Sequence, residues 1–186
     1  MKISIGAGQR RLPGWIHLDI DPATRPDILA DISAPLPLPD RSVECLLCEE
    51  VITQIPLDAA QRFMHDCRRV LRPDGVMRVL MPDLRRLVTA YLDNPQWLIE
   101  IWREQVGLPL VTGTAAEVVN VGMRAVGPFV YDLETFVVLT SRAGLDVRQV
   151  AYNESSHPAM RNIDLRRPDR SVSIYLELRP SEAVAG

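Results

Sequence analysis

The segment from Lys2 to Asp19 restricts what this chain can fold into more than any other. Lys2-Ile-Ser-Ile5 alternates polar and apolar residues and reads as a strand that begins almost at the first residue. It runs into Gly6-Ala-Gly8, a turn lacking side-chain bulk at its two glycines, which can adopt positive φ and admit a ligand close to the backbone. The chain returns as a second apolar strand, Trp15 to Leu18, finished by an acid, Asp19. Strand, glycine turn, strand and terminal acid are the parts of a nucleotide pocket at the carboxyl ends of an open parallel sheet. The pattern departs from the nicotinamide fingerprint: Arg11 stands where a third glycine is expected, and Asp19 comes eleven residues after Gly8 rather than about 20. Gln9 to Gly14 is also shorter than a normal parallel crossover, so the first connection is a loop or a single turn.

Further along, Asp27 to Asp31 reads as a third short strand, again ended by an acid, and Ala34-Pro-Leu-Pro-Leu-Pro39 as a rigid connector. Strand four spans Val43 to Cys48, and an amphipathic helix spans Leu57 to Leu71, stopped by Pro73-Asp-Gly75. Val76 to Met81 is apolar throughout, as a central strand should be. Asp83 is placed to cap the next helix. Residues 94–129 break into short helical pieces, the position of a cap-like insertion (94–130) over an active site; Trp97 and Trp102 there are candidates for exposed residues of a homodimer interface. A helix from Asp132 to Ala143 ends at Gly144, strand six spans Leu145 to Val150, and a long loop precedes a last strand, Ser171 to Leu178. Alternating strands and helices predict an α/β fold, a mostly parallel sheet of about seven strands covered on both faces. The last two strands have no helix between them, so one pairs antiparallel near the edge. The reading is a single domain over 1–180 with a disordered tail at 181–186.

The 186 residues carry a net charge of −3, which speaks against nucleic acid as the main partner, and the cluster Arg161, Arg166, Arg167, Arg170 is read as a solvated loop. No apolar run reaches the length of a membrane span and no signal peptide precedes the first strand, so a cytoplasmic location is expected. Cys45 and Cys48 lie three apart on a strand, point to opposite faces and are read as buried apolar side chains rather than a metal or redox pair. None of the three histidines shares metal-ligand spacing with another, and no metal is expected. Neither a Gly-x-Ser-x-Gly elbow nor a P-loop is present.

In order along nearly the whole chain, the text Ile3-Ser-Ile-Gly-Ala-Gly8, Pro13-Gly-Trp-Ile-His-Leu-Asp19, Ala30-Asp-Ile32, Leu36-Pro-Leu-Pro-Asp40, Arg69-Val-Leu-Arg-Pro-Asp-Gly75, Val79-Leu-Met-Pro-Asp83, Tyr131-Asp-Leu-Glu-Thr135, Ala143-Gly-Leu-Asp-Val147 and Asn153-Glu-Ser-Ser-His-Pro158 resembles the class I S-adenosylmethionine-dependent methyltransferases, in a short bacterial branch of the type 11-like group. The resemblance implies a Rossmann-like, doubly wound fold with a reduced first helix, and S-adenosylmethionine as cofactor. It implies that Gly6, Ala7 and Gly8 face the methionine part, Asp19 accepts from the ribose hydroxyls, and Asp31 accepts from the adenine amine. Ile20 and Ile32 would pack on the ring, and backbone at Cys48 and Glu49 would meet the amino group. Histidines common in the family after strand four are absent, the run here being Glu49-Glu-Val-Ile-Thr-Gln54, and a later one is replaced by Pro128.

Methyl transfer from a sulfonium rests largely on holding the nucleophile in line, with a general base needed for a hydroxyl acceptor. Glu50 and His157 are the candidate bases, and Tyr131 the candidate for orienting substrate. His17 and His65 are read as structural. The expected function is methylation of a small-molecule or glycan acceptor. The alternatives are a cofactor-binding partner or regulatory protein that has lost catalysis, motivated by the missing histidines, and a nicotinamide enzyme.

Overall fold

The computed structural model describes residues 1–181; of the tail expected to be disordered, 181–186, Ser181 is held by donating its N–H to the Gly144 carbonyl at 2.9 Å and its hydroxyl to Asp146 at 2.8 Å, and 182–186 lie outside the described residues. Seven strands form one sheet: β1 (Lys2–Ile5), β2 (Ile16–Asp19), β3 (Ile28–Leu29), β4 (Val43–Glu49), β5 (Leu71–Pro82), β6 (Leu145–Gln149) and β7 (Ser173–Pro180), in the order β3-β2-β1-β4-β5-β7-β6. The first five run parallel, and β7 pairs antiparallel with both β5 and β6. The order reverses at β1, which pairs with β2 on one side and β4 on the other. A crevice therefore opens above the carboxyl ends of β1 and β4.

Helix α1 (Leu57–Val70) buries Ala59, Ala60, Phe63, Met64, Cys67 and Val70, one stripe at helical spacing. Asp58 in its first turn and Arg68 and Arg69 in its last complement the helix dipole. With α5 (Leu133–Ser141), whose Phe136 and Leu139 are buried, it covers the sheet face formed by Ile3, Ile5, Leu18, Leu46, Cys48, Met77 and Val79. Asp132 caps α5 by accepting from the Thr135 N–H at 2.9 Å.

The other face differs from the expected helical layer. Cys45, Leu47, Val76, Leu80 and Tyr175 pack there against Leu12, Trp15, Val150, Tyr152 and Ile163 from irregular segments and Met160 from a single 3-10 turn, Pro158–Met160. A buried ion cluster fastens this layer. Arg78 of β5 donates from Nε to Asp164 at 3.0 Å, Asp164 accepts from the Asn153 N–H at 2.7 Å, and Glu177 lies 3.6 Å from the guanidinium. Ionic anchoring here does for a loop what apolar stripes do for helices. Cys45 and Cys48 fall on opposite faces, as a strand requires.

Helices α2 (Leu84–Asp93), α3 (Pro95–Ile101) and α4 (Ala115–Val126) pack on one another around Leu87, Ala90, Leu98, Trp102, Ala115 and Val118. A π-turn, Trp102–Val106, continues α3. Each start is capped: Asp83 accepts from Arg85 N–H, Asn94 from Trp97 N–H, and Thr114 from Glu117 N–H. Trp102, expected at the surface, is buried, with its Nε1 donating to the Leu108 carbonyl at 2.9 Å.

Several boundaries shift. The third strand shrinks to Ile28–Leu29, because Asp27 turns back to pair with His17. The first helix ends at Val70 and Leu71 enters β5 directly, residues 72–75 bulging out between its pairings with Val43 and Cys45. The last strand begins at Ser173, not Ser171, because the Ser171 hydroxyl is engaged with the Arg167 carbonyl.

Candidate functional site

Two cavities meet at the crevice. The first, about 330 Å³, is lined by Ile5, Gly6, Leu18, Asp19, Ile20, Ala30, Asp31 and Ile32 from the first three strands, and by Glu50, Val51, Gln54 and Ile55 after β4. Gly6 has φ +61°, and a Cβ on it would lie 2.2 Å from Cγ2 of Val51, so the wall there is backbone by necessity. Gly8 has φ +54° and donates its N–H to Asp19 Oδ2 at 2.8 Å, while Asp21 N–H donates to Oδ1 at 3.0 Å. Asp19 is thus clamped by two backbone amides at the lip of β2, only 8% exposed, with lone pairs remaining on both oxygens. Asp31 is exposed; the Ser33 hydroxyl and N–H bonded to its Oδ1 hold its carboxyl below the usual range.

The second cavity, about 390 Å³, lies between the end of β5, the α2–α4 helices and residues 166–173. Leu87, Leu98, Ile101, Trp102, Val118 and Val130 make most of it apolar; Arg166, Arg170 and Ser173 add polar groups. Glu50 lines both cavities. Its backbone is left-handed, φ +59°, an uncommon conformation for a residue with a side chain. Its carboxylate accepts from the Ser173 hydroxyl at 3.1 Å. Burial raises its pKa above the ordinary value, against the opposing charge of Arg166.

The sequence-predicted residues divide accordingly. Gly6, Asp19, Ile20, Asp31, Ile32 and Glu50 converge on the first cavity. Ala7 and Gly8 shape its entrance loop, the Ala7 carbonyl accepting from Arg10 N–H at 3.0 Å. Cys48 is fully buried beneath, and the Glu49 carboxylate turns away to Arg10 (2.9 Å) and the Leu165 N–H (2.9 Å). Burial raises the Glu49 carboxyl as well. Tyr131 lies in the core under the sheet, its ring 4.7 Å from that of Phe129 and 5.7 Å from that of Phe136, and burial pushes its hydroxyl up to about 12. It lines neither cavity.

His157 is not brought near Glu50. It sits at the opposite end of β4, its Nδ1 3.5 Å from Cys45 Sγ and its Nε2 3.5 Å from Glu44 Oε1. Four strand residues, about 13 Å, separate Cys45 from Glu49. Glu44, Cys45 and His157 offer ligand atoms within 4.8 Å of one another. The chemistry is poor for a cation: burial pushes the Cys45 thiol up to about 11, and Lys2, Arg179 and the N-terminal ammonium act on it as neighbouring positive charges. His157 Nδ1 already accepts from Ala159 N–H at 3.3 Å, capping a short turn.

Sequence reasoning missed Val51, Gln54 and Ile55, although an apolar run directly after the acids that end β4 was a usable signal. It also missed Arg166, which no local pattern distinguishes from the other arginines of its loop.

The first cavity fits S-adenosylmethionine: a glycine wall that any Cβ would fill, a buried carboxylate with free lone pairs suited to a diol, and flanking isoleucines for a flat ring. Comparison with known proteins agrees. A family model described as "Methyltransferase domain" matches residues 16–79. No curated protein matches. Among solved structures, the complex between the Haloferax volcanii Trm112 methyltransferase activator and a methyltransferase aligns over 97% of this chain and 81% of that chain, with a TM-score of 0.57 and 12% identity. An S-adenosylmethionine-dependent methyltransferase from Thermotoga maritima aligns over 97% and 81%, with a TM-score of 0.56 and 16% identity. An O-methyltransferase of neocarzinostatin biosynthesis, solved with S-adenosylmethionine and 2-hydroxy-5-methyl naphthoic acid, aligns over 96% and 48%, with a TM-score of 0.51 and 12% identity. At these identities the structural likeness shows the fold.

Proposed function

We infer that this chain, an S-adenosylmethionine-dependent methyltransferase of class I, methylates a small and largely apolar acceptor. The observation that carries the reading is Glu50, which lines both the cofactor-sized cavity and the apolar one beside it. A methyl donor in the first and an acceptor in the second would meet at this residue. The apolar lining supports a small molecule over a glycan, whose hydroxyls would find few partners against leucine and valine.

S-adenosylmethionine, when bound, supplies a methyl group made electrophilic by its sulfonium. The rest is work for the protein's own residues. Asp19 accepts from the ribose hydroxyls, already oriented by the Gly8 and Asp21 amides. Asp31 accepts from the adenine amine through the oxygen that Ser33 leaves free, and Ile20 and Ile32 flank the ring. Glu50, its pKa raised by burial, is the group positioned to take the acceptor's proton. Residues 94–130 serve as a cap that shields the meeting point from water and selects the acceptor. Homodimerisation stays a separate proposal, and Trp102 takes no part in it because its ring is buried.

The test is formation of S-adenosylhomocysteine from S-adenosylmethionine in the presence of a panel of phenols, aryl amines and aryl acids bearing a hydroxyl. Turnover with at least one phenol, lost in Glu50→Gln, is the predicted result. Binding of S-adenosylmethionine without turnover on any class would instead favour the partner or regulatory reading.

A further inference from the structure

Arg166 is unusual within the apolar cavity. The other cation of the lining, Arg170, is neutralised by Glu104 at 3.0 Å. Among the described residues, no hydrogen bond or ion pair engages the Arg166 guanidinium. Yet the backbone that carries it is anchored at three successive residues. Asp164 is held by the buried Arg78, the Leu165 N–H donates to Glu49 Oε1 at 2.9 Å, and the Arg166 carbonyl accepts from the Tyr175 hydroxyl at 2.5 Å. Arg166 itself is exposed, and this fixing of its backbone keeps it at the rim of the second cavity. Here the chain holds one unpaired guanidinium at the edge of a pocket otherwise walled by Leu87, Leu98, Ile101, Trp102 and Val118. It is among the residues that line the cavity with Glu50, and its charge acts on both Glu50 and Glu49.

We propose that the acceptor is an apolar carboxylic acid, its hydrocarbon body in the pocket formed by the α2–α4 helices and its carboxylate on Arg166. The planar guanidinium fork matches a carboxylate through paired charge-assisted hydrogen bonds. A single negative charge is all that one unpaired cation can balance. A second anionic group would lie against Glu50. This inference rests on the reading of the second cavity as the acceptor site, and it narrows that reading to a substrate class.

The experiment compares 4-phenylbutyrate with 4-phenylbutan-1-ol, equal in shape and different in charge, by calorimetric or NMR titration of the full chain, with S-adenosylhomocysteine titrated in parallel. The wild type should bind the acid about tenfold tighter than the alcohol, the scale of one charge-assisted pair at a partly exposed site. Arg166→Gln should abolish that preference while leaving alcohol binding unchanged, and Arg166→Lys should restore part of it. The preference should also shrink as salt is raised. Equal binding of acid and alcohol by the wild type, or a preference unchanged in Arg166→Gln, would overturn the proposal. Retained S-adenosylhomocysteine affinity in Arg166→Gln separates loss of acceptor recognition from loss of fold. Failure of S-adenosylhomocysteine to bind the wild type, with the acid preference intact, would count against the cofactor reading alone.

Discussion

Gly127→Ala is the substitution whose effect the structure defines most sharply. Gly127 follows α4 with φ +134°, and a Cβ there would lie 2.0 Å from the Thr53 carbonyl oxygen and 2.6 Å from its carbon. No real Cβ tolerates less than 3.0 Å, so backbone must move by about an ångström, since the obstacle is main chain and cannot rotate away. Overpacking of this kind costs about 1–3 kcal/mol, and the positive φ adds about 1–3 kcal/mol more. The sum, about 2–6 kcal/mol, corresponds to a fall in Tm of roughly 4–24 °C for a chain of this size. The displaced segment is the short turn Ile52–Gln54, flanked by Val51 and Ile55, and Val51, Gln54 and Ile55 line the first cavity, the proposed cofactor site. Affinity for S-adenosylhomocysteine should therefore fall too, although Gly127 lines neither cavity. Thermal unfolding and titration of S-adenosylhomocysteine at a temperature where the variant stays folded measure both effects. A variant with wild-type Tm and wild-type affinity would refute the claim that Gly127 packs against the Thr53 backbone with no room for a Cβ.

Glu50→Gln should reduce methyl transfer by about 10²–10⁴-fold if the carboxylate takes a proton. It should also flatten the pH dependence of stability. Burial raises the folded pKa of Glu50 above 4.5, so its stabilising contribution is full below that value and fades as pH rises through the folded pKa. Unfolding from pH 4 to pH 8 should accordingly show the variant gaining on the wild type, and a constant difference would count against a buried carboxyl. Arg78→Ala leaves Asp164 and Glu177 buried without their cation, and urea unfolding should show a loss of about 3–5 kcal/mol. A loss under about 1 kcal/mol would mean that the loop layer over β5 is held by its apolar contacts instead.

The central pocket was legible because local chemistry forces it. Asp19 ends β2, Gly6 directly follows β1 and Asp31 lies two residues past β3, and strands of a parallel sheet end on one side, so acids and glycines at those positions meet in space whatever lies between. The antiparallel last pair was legible for a similar reason, since no helix separates β6 from β7. The loop-covered sheet face was not, because its cohesion comes from Arg78 and Asp164, 86 residues apart, and neither stands out locally. Tyr131 and His157 misled by residue type. A tyrosine and a histidine look chemical in a sequence, but one is packed between Phe129 and Phe136 and the other caps a turn at the far end of β4. Arg166 shows the converse: its role depends on the cavity behind it, which only the α2–α4 packing creates.

The proposed methyl transfer requires that the cavity beside Gly6 and Asp19 be the S-adenosylmethionine site. Calorimetric titration of S-adenosylhomocysteine into wild type, Asp19→Asn and Asp31→Asn addresses this most directly. Asparagine at 19 keeps one acceptor oxygen where Asp19 now serves both the Gly8 and Asp21 amides, so binding should weaken by about a hundredfold, with some loss of stability. Asparagine at 31 is exposed and should cost binding about tenfold with the fold intact. Wild-type protein that is folded and binds neither S-adenosylhomocysteine nor S-adenosylmethionine, or an Asp19→Asn variant that binds as tightly as wild type, would contradict the account.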